Sequence, residues 1–329
     1  GAMLHPGRAR VGRLVAVEIG FPPVDEYTFQ HYLVTPGWVR KRLPRRDPDT
    51  HKNAVGPLLL VAGHSGMAGA AVLAARAALR SGVGFLRVAS PPANREILQT
   101  AVPEAVFVDA TDPGALAEAL GASRALGLGP GLGTGEEGAD ILKRALEAGD
   151  RQPTLLDADA LNLLSEGKGP RLEVLAETRD LVLTPHPGEM ARLTGLEAEA
   201  VTKDRPGVAR RLAAEKGCSV LLKGMPSLVV SPSGRILVDT VASSDLAAAG
   251  MGDVLSGAIS AFLAQGSGPE EAAALGLFTS GRAAARRDLR ASLTPEDVIE
   301  ALPGALREEG NGDTELEFPF VLFDQDPAR

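Results

Sequence analysis

The sequence predicts an α/β fold with a mainly parallel sheet and a helical C-terminal third. Three observations carry this reading. Short, wholly apolar runs recur from Leu58 onward, most end in a polar or glycine-rich turn, and helical segments separate many of them. A strand buried on both faces of a parallel sheet needs such a continuous apolar run. Strand, turn, helix and strand in that order form the βαβ unit.

The elements follow in order. Leu58 to Ala62 is the first buried strand, ending at Gly63-His64-Ser65-Gly66. An alanine-rich helix is expected over Ala68 to Arg80, stopped by Gly82, and Gly84 to Val88 is the next strand. Ala105 to Val108 and Ala125 to Leu128 are strands, and Glu136 to Ala148 is a helix. Pro153 to Leu156 and Asp180 to Leu183 are strands ending at Asp157 and at Thr184-Pro185. Asp204 to Lys216 reads as helix and Ser219 to Leu222 as strand. Leu228 to Val230 and Arg235 to Val238 flank Ser231-Pro232-Ser233-Gly234, a hairpin turn. Helices then dominate, over about Gly252 to Gln265, Pro269 to Arg287 and Pro295 to Leu306. No repeat of 20–50 residues is visible, which sets aside solenoids and propellers.

The two ends read differently. With 329 residues and roughly 150 per domain, the prior is near two domains. Gly12 to Gly20 has the pattern of a strand, broken by Phe21-Pro22-Pro23. Residues 1–35 are expected to be an expression scar (Gly1-Ala2-Met3) followed by the remnant of a preceding domain, the alternative being a simple N-terminal arm that docks on the main body. Residues 36–57 are a polar, basic connector, and the main domain spans 36–307. Residues 308–329 form an acidic tail with Phe318, Phe320 and Phe323, either loose or docked on the body or a neighbouring subunit.

Composition removes several function classes. Lys and Arg total 34 against 42 Asp and Glu, a formal net charge of −8. An acidic chain is a poor binder of a phosphate backbone, and the local patch Arg40, Lys41, Arg42, Arg45 and Arg46 does not reverse that. Aromatics at 4% argue against base-stacking platforms. Nucleic acid is therefore not an expected partner. No run of 18 apolar residues exists, so no membrane-spanning helix is expected. Cys218 is the sole cysteine, which excludes an internal disulfide and a multi-cysteine zinc site. Beside an apolar run it reads as a core residue. Nothing resembles a signal peptide, so a cytoplasmic location is the expectation.

Ligands of parallel α/β sheets bind at the carboxyl ends of the strands, where most polar motifs here fall. In Ala247-Ala248-Ala249-Gly250-Met251-Gly252-Asp253, small residues and two glycines lead into a helix. Glycine lets backbone amides approach an anion, and the helix N-terminus adds partial positive charge. Asp253 in the first turn could serve only as a favourable helix-end charge. Beside an anion hole it could instead accept a hydroxyl proton during phosphoryl transfer. Gly127 to Gly135 carries five glycines after a strand, a loop that a ligand can approach closely, but the dinucleotide fingerprint fails at Thr134.

Other strand ends add candidates. Asp157 points toward the presumed crevice, and Asp159 could cap the next helix. In Thr184-Pro185-His186-Pro187-Gly188-Glu189, Pro187 suits a helix start. His186 could touch a ligand there, and Glu189 could hold a hydrated magnesium. Lys223 ends a strand and could pair with a phosphate or be solvated. No dense ligand set supports a zinc mechanism. Ser65 lacks the glycine pattern of a hydrolase nucleophile.

Taken together the motifs resemble the ADP/ATP-dependent NAD(P)H-hydrate dehydratases. The matching passages are HKNAVGPLLLVAG (51–63), GMAGAAVLAARAALRSGVGFLRV (66–88), GLGPGLG (127–133), LLDADALN (155–162), TPHPGEMARLTG (184–195), LLKG (221–224) and GMGDVLSGAISAFLAQG (250–266). SLTPEDVIEALP (292–303) extends the match, so the resemblance covers roughly residues 36–307. The GMGD turn alone would suit any ribokinase-like kinase; HPGE with LLDADALN and the first helix narrows it.

The resemblance implies a ribokinase-like three-layer α/β/α fold. It implies repair of the S epimer of hydrated NADH or NADPH, with ADP or ATP as phosphoryl donor and Mg²⁺. Ala70, Gly131 and His186 would line the substrate pocket. Lys223, Gly224, Met225, Pro226 and Ser227 would hold the adenine nucleotide. Gly250 and Gly252 would present amides to its phosphate, and Asp253 would act on the substrate hydroxyl. A homotetramer is implied by the relatives. Residues 11–35 look like the end of an NAD(P)H-hydrate epimerase domain, so the intact protein is expected to be bifunctional and this chain to lack epimerase activity.

Two departures stand out. Ala242-Ser243 replaces the usual Gly-Asn, and Ser227 stands where Thr is usual. Two alternatives remain open at this point. One is a ribokinase-like kinase of a small hydroxylated vitamin precursor, distinguished by a stable phosphorylated product. The other is a non-catalytic nucleotide-binding domain.

Overall fold

Period-two alternation splits the central strands between two cores. In β3 (Pro57–Val61), Leu58 and Leu60 face one apolar cluster while Leu59 and Val61 face another. The same division recurs at Leu155 against Leu156 and at Val182 against Leu183. Successive side chains of a strand point to opposite faces, so a run apolar at every position demands a layer of helices on each side.

The computed structural model describes residues 7, 10, 15–17, 19–20, 30–45, 55–148, 151–241, 243–311 and 320–322. Its other strands are β1 (Val15–Val17), β2 (His31–Leu33), β4 (Phe85–Ser90), β5 (Val106–Asp109), β6 (Ala125–Leu128) and β7 (Thr154–Leu156). They continue with β8 (Leu181–Leu183), β9 (Ser219–Leu222), β10 (Leu228–Val230), β11 (Ile236–Val238) and β12 (Phe320–Leu322). The helices are α1 (Pro36–Arg40), α2 (Ala68–Arg80), α3 (Arg95–Ala101), α4 (Pro113–Gly121), α5 (Glu136–Ala148), α6 (Asp159–Ser165) and α7 (Leu172–Ala176). They continue with α8 (Pro187–Thr194), α9 (Ala198–Lys203), α10 (Arg205–Lys216), α11 (Met251–Ala264), α12 (Pro269–Arg287) and α13 (Pro295–Asn311).

The main sheet runs β2-β11-β10-β9-β8-β7-β6-β3-β4-β5. Every pairing is parallel except those of β10, which is antiparallel to both β9 and β11. Residues of α4 through α10 cover one face. Residues of α2, α11 and α12 cover the other, with α13 outside them. This is the three-layer α/β/α arrangement expected of the chain.

Two segments differ from expectation. β2 lies within residues 1–35, yet it pairs in register with β11, and Thr240 Oγ1 donates to Val34 O at 2.6 Å. His31–Leu33 is thus an edge strand of the main sheet rather than part of a preceding unit. The basic connector starts with a helix, α1, whose N-cap Thr35 side chain accepts from Trp38 N–H and whose first residue is Pro36. At the other end, β12 pairs antiparallel with β1, Val15 opposite Leu322. The N-terminal strand finds its partner in the Phe-rich tail. Gly1-Ala2-Met3, Ala242, Phe318 and Phe323 lie outside the described residues. Cys218 is buried, and burial pushes its thiol up to about 12, which leaves it an inert core side chain.

Candidate active site

The glycine turn before α11 is shaped to hold an anion. Gly250 caps the helix at φ 88°, in the left-handed region that glycine enters freely. No side chain caps this end. Met251 N–H donates to Ala248 O at 3.3 Å; the next first-turn amides, of Gly252 and Asp253, have no intrahelical partner, so they and the helix dipole face whatever approaches. Asp253 sits in this first turn, partly buried. Burial pushes its carboxyl up to about 7. The charge of Asp157 and, more weakly, of Asp159 adds to the rise, and Lys223 opposes it. A carboxyl poised there can take a proton at neutral pH.

Behind the turn lies a buried ion pair. Asp157, at the end of β7, is 2% exposed. Its Oδ1 accepts from Lys223 Nζ at 2.8 Å, and its Oδ2 accepts from Ser256 Oγ on α11. Burial alone would raise this carboxyl. The charge and hydrogen bond of Lys223, with hydrogen bonds from Ser256 and Thr184, hold it below the usual carboxylate range. Burial disfavours the charge of Lys223, but Asp157 and Glu189 outweigh that and keep it ammonium. Its Nζ stands 3.9 Å from Glu189 Oε2. A Cβ placed on Gly252 would lie 3.8 Å from Lys223 Nζ and 4.0 Å from Asp157 Oδ2. The pair therefore borders the anion turn.

The Asp157-Ala158-Asp159 turn is strained. Ala158 adopts φ 48°, ψ −118°, and Ala160 N–H donates to Asp157 O at 3.1 Å. That is the first central position of a type II′ turn, where glycine is favoured. Packing fixes it from the other side: a Cβ on Gly129 would lie 1.9 Å from Asp157 O. Asp159 serves the glycine loop, its Oδ2 accepting from Gly133 N at 2.8 Å. Strain of this kind costs about 1–3 kcal/mol and concentrates at functional sites. Ala158→Gly is expected to gain about 1 kcal/mol in urea unfolding, the relief exceeding the added backbone entropy.

The glycine loop meets the start of α2. A Cβ on Gly131 would lie 2.8 Å from the Cβ of Ala70, so these two expected substrate residues share one wall. His64 Nδ1 lies 2.9 Å from Gly131 O, and Asn94 Nδ2 donates to His64 O at 3.1 Å. His64, Asn94 and Asp159 thus support the loop; the sequence reading gave none of them a site role.

His186 is the N-cap of α8. Its Nδ1 accepts from the amides of Gly188 (3.0 Å) and Glu189 (3.3 Å). Glu189 Oε2 accepts from His186 N–H at 2.8 Å, which completes a capping box. Burial, Lys223 and Arg192 hold the imidazole below its usual range. As a neutral ring with Nδ1 accepting, it carries its proton on Nε2. Glu189 is buried, and burial pushes its carboxyl up.

Lys223 to Ser227 form a tight loop after β9. Ser227 Oγ donates to Gly224 O at 2.9 Å and accepts from Gly224 N at 3.2 Å, so the serine keeps the loop-closing hydroxyl. The Met225–Pro226 bond is cis. Arg205, missed in the sequence, packs its guanidinium against Gly224 and donates to Leu222 O and Lys223 O at 3.4 Å. The Lys223 ammonium itself points to Asp157, leaving Gly224 and Met225 as the loop's exposed residues.

Comparison with known proteins gives a consistent result. Residues 58–304 match the family described as NAD(P)H-hydrate dehydratase. The bifunctional NAD(P)H-hydrate repair enzyme Nnr of Moorella thermoacetica is 37% identical over 324 residues, 93% of this chain and 60% of that protein. The chain thus spans about three fifths of the length of such bifunctional relatives. The ADP-dependent (S)-NAD(P)H-hydrate dehydratase of Neisseria meningitidis is 40% identical over 243 residues, 73% of this chain and 79% of that one. The Bacillus subtilis ADP/ATP-dependent NAD(P)H-hydrate dehydratase, co-crystallised with ATP/Mg²⁺, superposes with a TM-score of 0.74. It is 29% identical, over 84% of this chain and 98% of that one. Solved structures of the ribokinase-like superfamily share the fold.

Proposed function

Because the chain belongs to the NAD(P)H-hydrate dehydratase family, we propose that it dehydrates the S epimer of hydrated NADH or NADPH, using ADP or ATP. The observation that carries this reading is Asp253, a carboxyl raised to about 7 in the first turn of α11 beside uncapped amides and Lys223.

Hydroxide is a poor leaving group, so the ring hydroxyl must first be converted. Asp253 accepts its proton as the oxygen attacks the terminal phosphorus of the nucleotide, which departs as AMP or ADP. The amides of Gly250 and Gly252 hold the charge that gathers on the transferring phosphoryl oxygens. The ring nitrogen then expels phosphate as the carbon–oxygen bond breaks. Loss of a proton from the neighbouring ring carbon restores the dihydropyridine. Ala70, Gly131 and His186 would line the ring pocket, the His186 Nε2–H being a donor. Gly224, Met225, Pro226 and Ser227 would hold the nucleotide, with Lys223 at their edge.

Magnesium fits one mode only. Among the described residues no three His, Cys, Asp or Glu side chains gather as a cage. Mg²⁺ usually keeps waters and takes one or two carboxylates with substrate phosphates. Glu189 Oε2 is engaged by the His186 amide, so Glu189 would hold the ion through water. The ion would supply neutralisation of phosphate charge. We further place the protein in the cytoplasm as a homotetramer, and the intact protein as a fusion with an epimerase domain; the longer relatives are named bifunctional. No helix among the described residues is long and apolar enough to cross a membrane.

The test is absorbance. NADH hydrate, Mg²⁺ and either ADP or ATP should return dihydronicotinamide absorbance with stoichiometric phosphate. A stable phosphorylated product, or nucleotide binding without turnover, would overturn the reading. A second measurement probes the anion turn. Gly252→Ala meets only ordinary contacts, at 3.8 and 4.0 Å, so its melting temperature should stay near wild type. Its methyl crowds the phosphate side, and calorimetry should show ADP binding weakened about tenfold.

A further inference from the structure

We propose that Asp157 is a positioning residue for the transfer step: it fixes the Lys223 ammonium beside Gly252 and, through Ser256, grips the first turns of α11 on which Asp253 stands. The inference rests on the dehydratase reading of that site.

The geometry assigns both grips to one carboxylate. A buried charge is costly unless paired and hydrogen-bonded, and Asp157 has both oxygens engaged, one by Lys223 and one by Ser256. Lys223 ends β9 and Asp157 ends β7, with β8 between them. The bond therefore spans two strand spacings at the carboxyl edge of the sheet, where ligands bind. Ser256 follows Asp253 by three residues, so both lie on one face of α11.

The backbone is committed to the same end. Ala158 holds a strained turn, and Gly129 packs against Asp157 O with no room for a Cβ. An ion pair serving stability alone has no need of this place. Here the Lys223 side chain keeps 22% of its surface exposed while Asp157 is sealed.

Asp157→Asn keeps the shape and removes the charge. The expected result is kcat lower by about 10- to 100-fold with KM for the hydrate within about threefold, as for loss of transition-state positioning. Ser256→Ala, which leaves the ion pair, should lower kcat in the same direction by less. Lys223→Met in the Asp157→Asn background should lower it no further than the worse single change, because one acts through the other. The groups facing Asp253 are Asp157, Asp159 and Lys223. Loss of the Asp157 charge should therefore move the acid limb of kcat/KM to lower pH.

Additive losses in the double variant, or an unmoved acid limb, would overturn the proposal. So would a kcat deficit restored by excess Mg²⁺, which would put Asp157 with the metal. Thermal melts identify a variant that fails to fold, and Ser256→Ala then carries the test. If wild type does not turn over the hydrate, the dehydratase reading fails. The positioning claim is still decided by carboxyl ¹³C NMR of Asp253, whose titration must move down in Asp157→Asn.

Discussion

Asp253→Asn is expected to lose about 10²- to 10⁴-fold of kcat, the range for removing a general base. Asparagine keeps the shape and hydrogen-bonding size but cannot accept the hydroxyl proton. Wild type should show kcat/KM falling about tenfold per pH unit below its limb near pH 7, as the carboxylate becomes protonated. The same variant should be more stable. The carboxyl is raised from its ordinary value of 3.8 to about 7 in the fold, so the native state binds the extra proton between those values. The stability this confers is full below the lower value and is lost as pH climbs through the upper one. At pH 8 the native protein holds an ionised, partly buried carboxylate that asparagine does not imitate. A gain of about 1–3 kcal/mol at pH 8, shrinking toward pH 5, is the expected result in paired thermal melts. Equal stability at both pH values would mean that the carboxyl is not raised.

Gly257→Ala should be among the most damaging changes outside the chemistry. Gly257 faces α2, and a Cβ there would lie 2.1 Å from Ala74 O and 2.8 Å from Ala74 C. Both atoms are backbone, so no side chain can swing away. The helices must separate, which opens a core of close-packed alanines: Ala71, Ala74, Ala75 and Ala78 on α2, and Ala258 and Ala261 on α11. A loss of about 3 kcal/mol or more is expected by chemical denaturation. The first turns of α2 and α11 carry Ala70 and Asp253, so turnover should fall as well. Gly69→Ala, with nothing within 4 Å of the new methyl, is the control for stability and should be close to neutral.

The central layers were legible because each strand is a short apolar run closed by a polar or glycine turn. β6, β9 and β10, with α2, α5 and α12, fall on their expected bounds. β2 was not legible: three residues in a polar stretch, His31-Tyr32-Leu33, owe their strand to pairing with β11 across the chain. No local pattern reports a partner that distant. At the site, Gly250, Gly252 and Asp253 could be read, because glycines leading into a helix have a mechanism visible in order. The bond from Lys223 to Asp157 could not, since it depends on two strands being separated by one. Charge alone left Lys223 either to pair with a phosphate or to be solvated. His186 had a signal that was overlooked. Glu189 three residues on is the reciprocal half of a capping box, masked because histidine is not a usual cap.

The pairing of β2 with β11 also sets an order of events in synthesis. His31–Leu33 leave the ribosome about 200 residues before their hydrogen-bonding partners Ile236–Val238. At roughly 5–20 residues per second, that is a wait of about 10–40 s. During it the nascent chain can assemble β3 to β9, whose neighbours are closer in sequence, while the leading segment stays undocked. The last strand of the main sheet to be made then recruits that sheet's first, and closing so long a loop costs entropy that only the finished sheet repays.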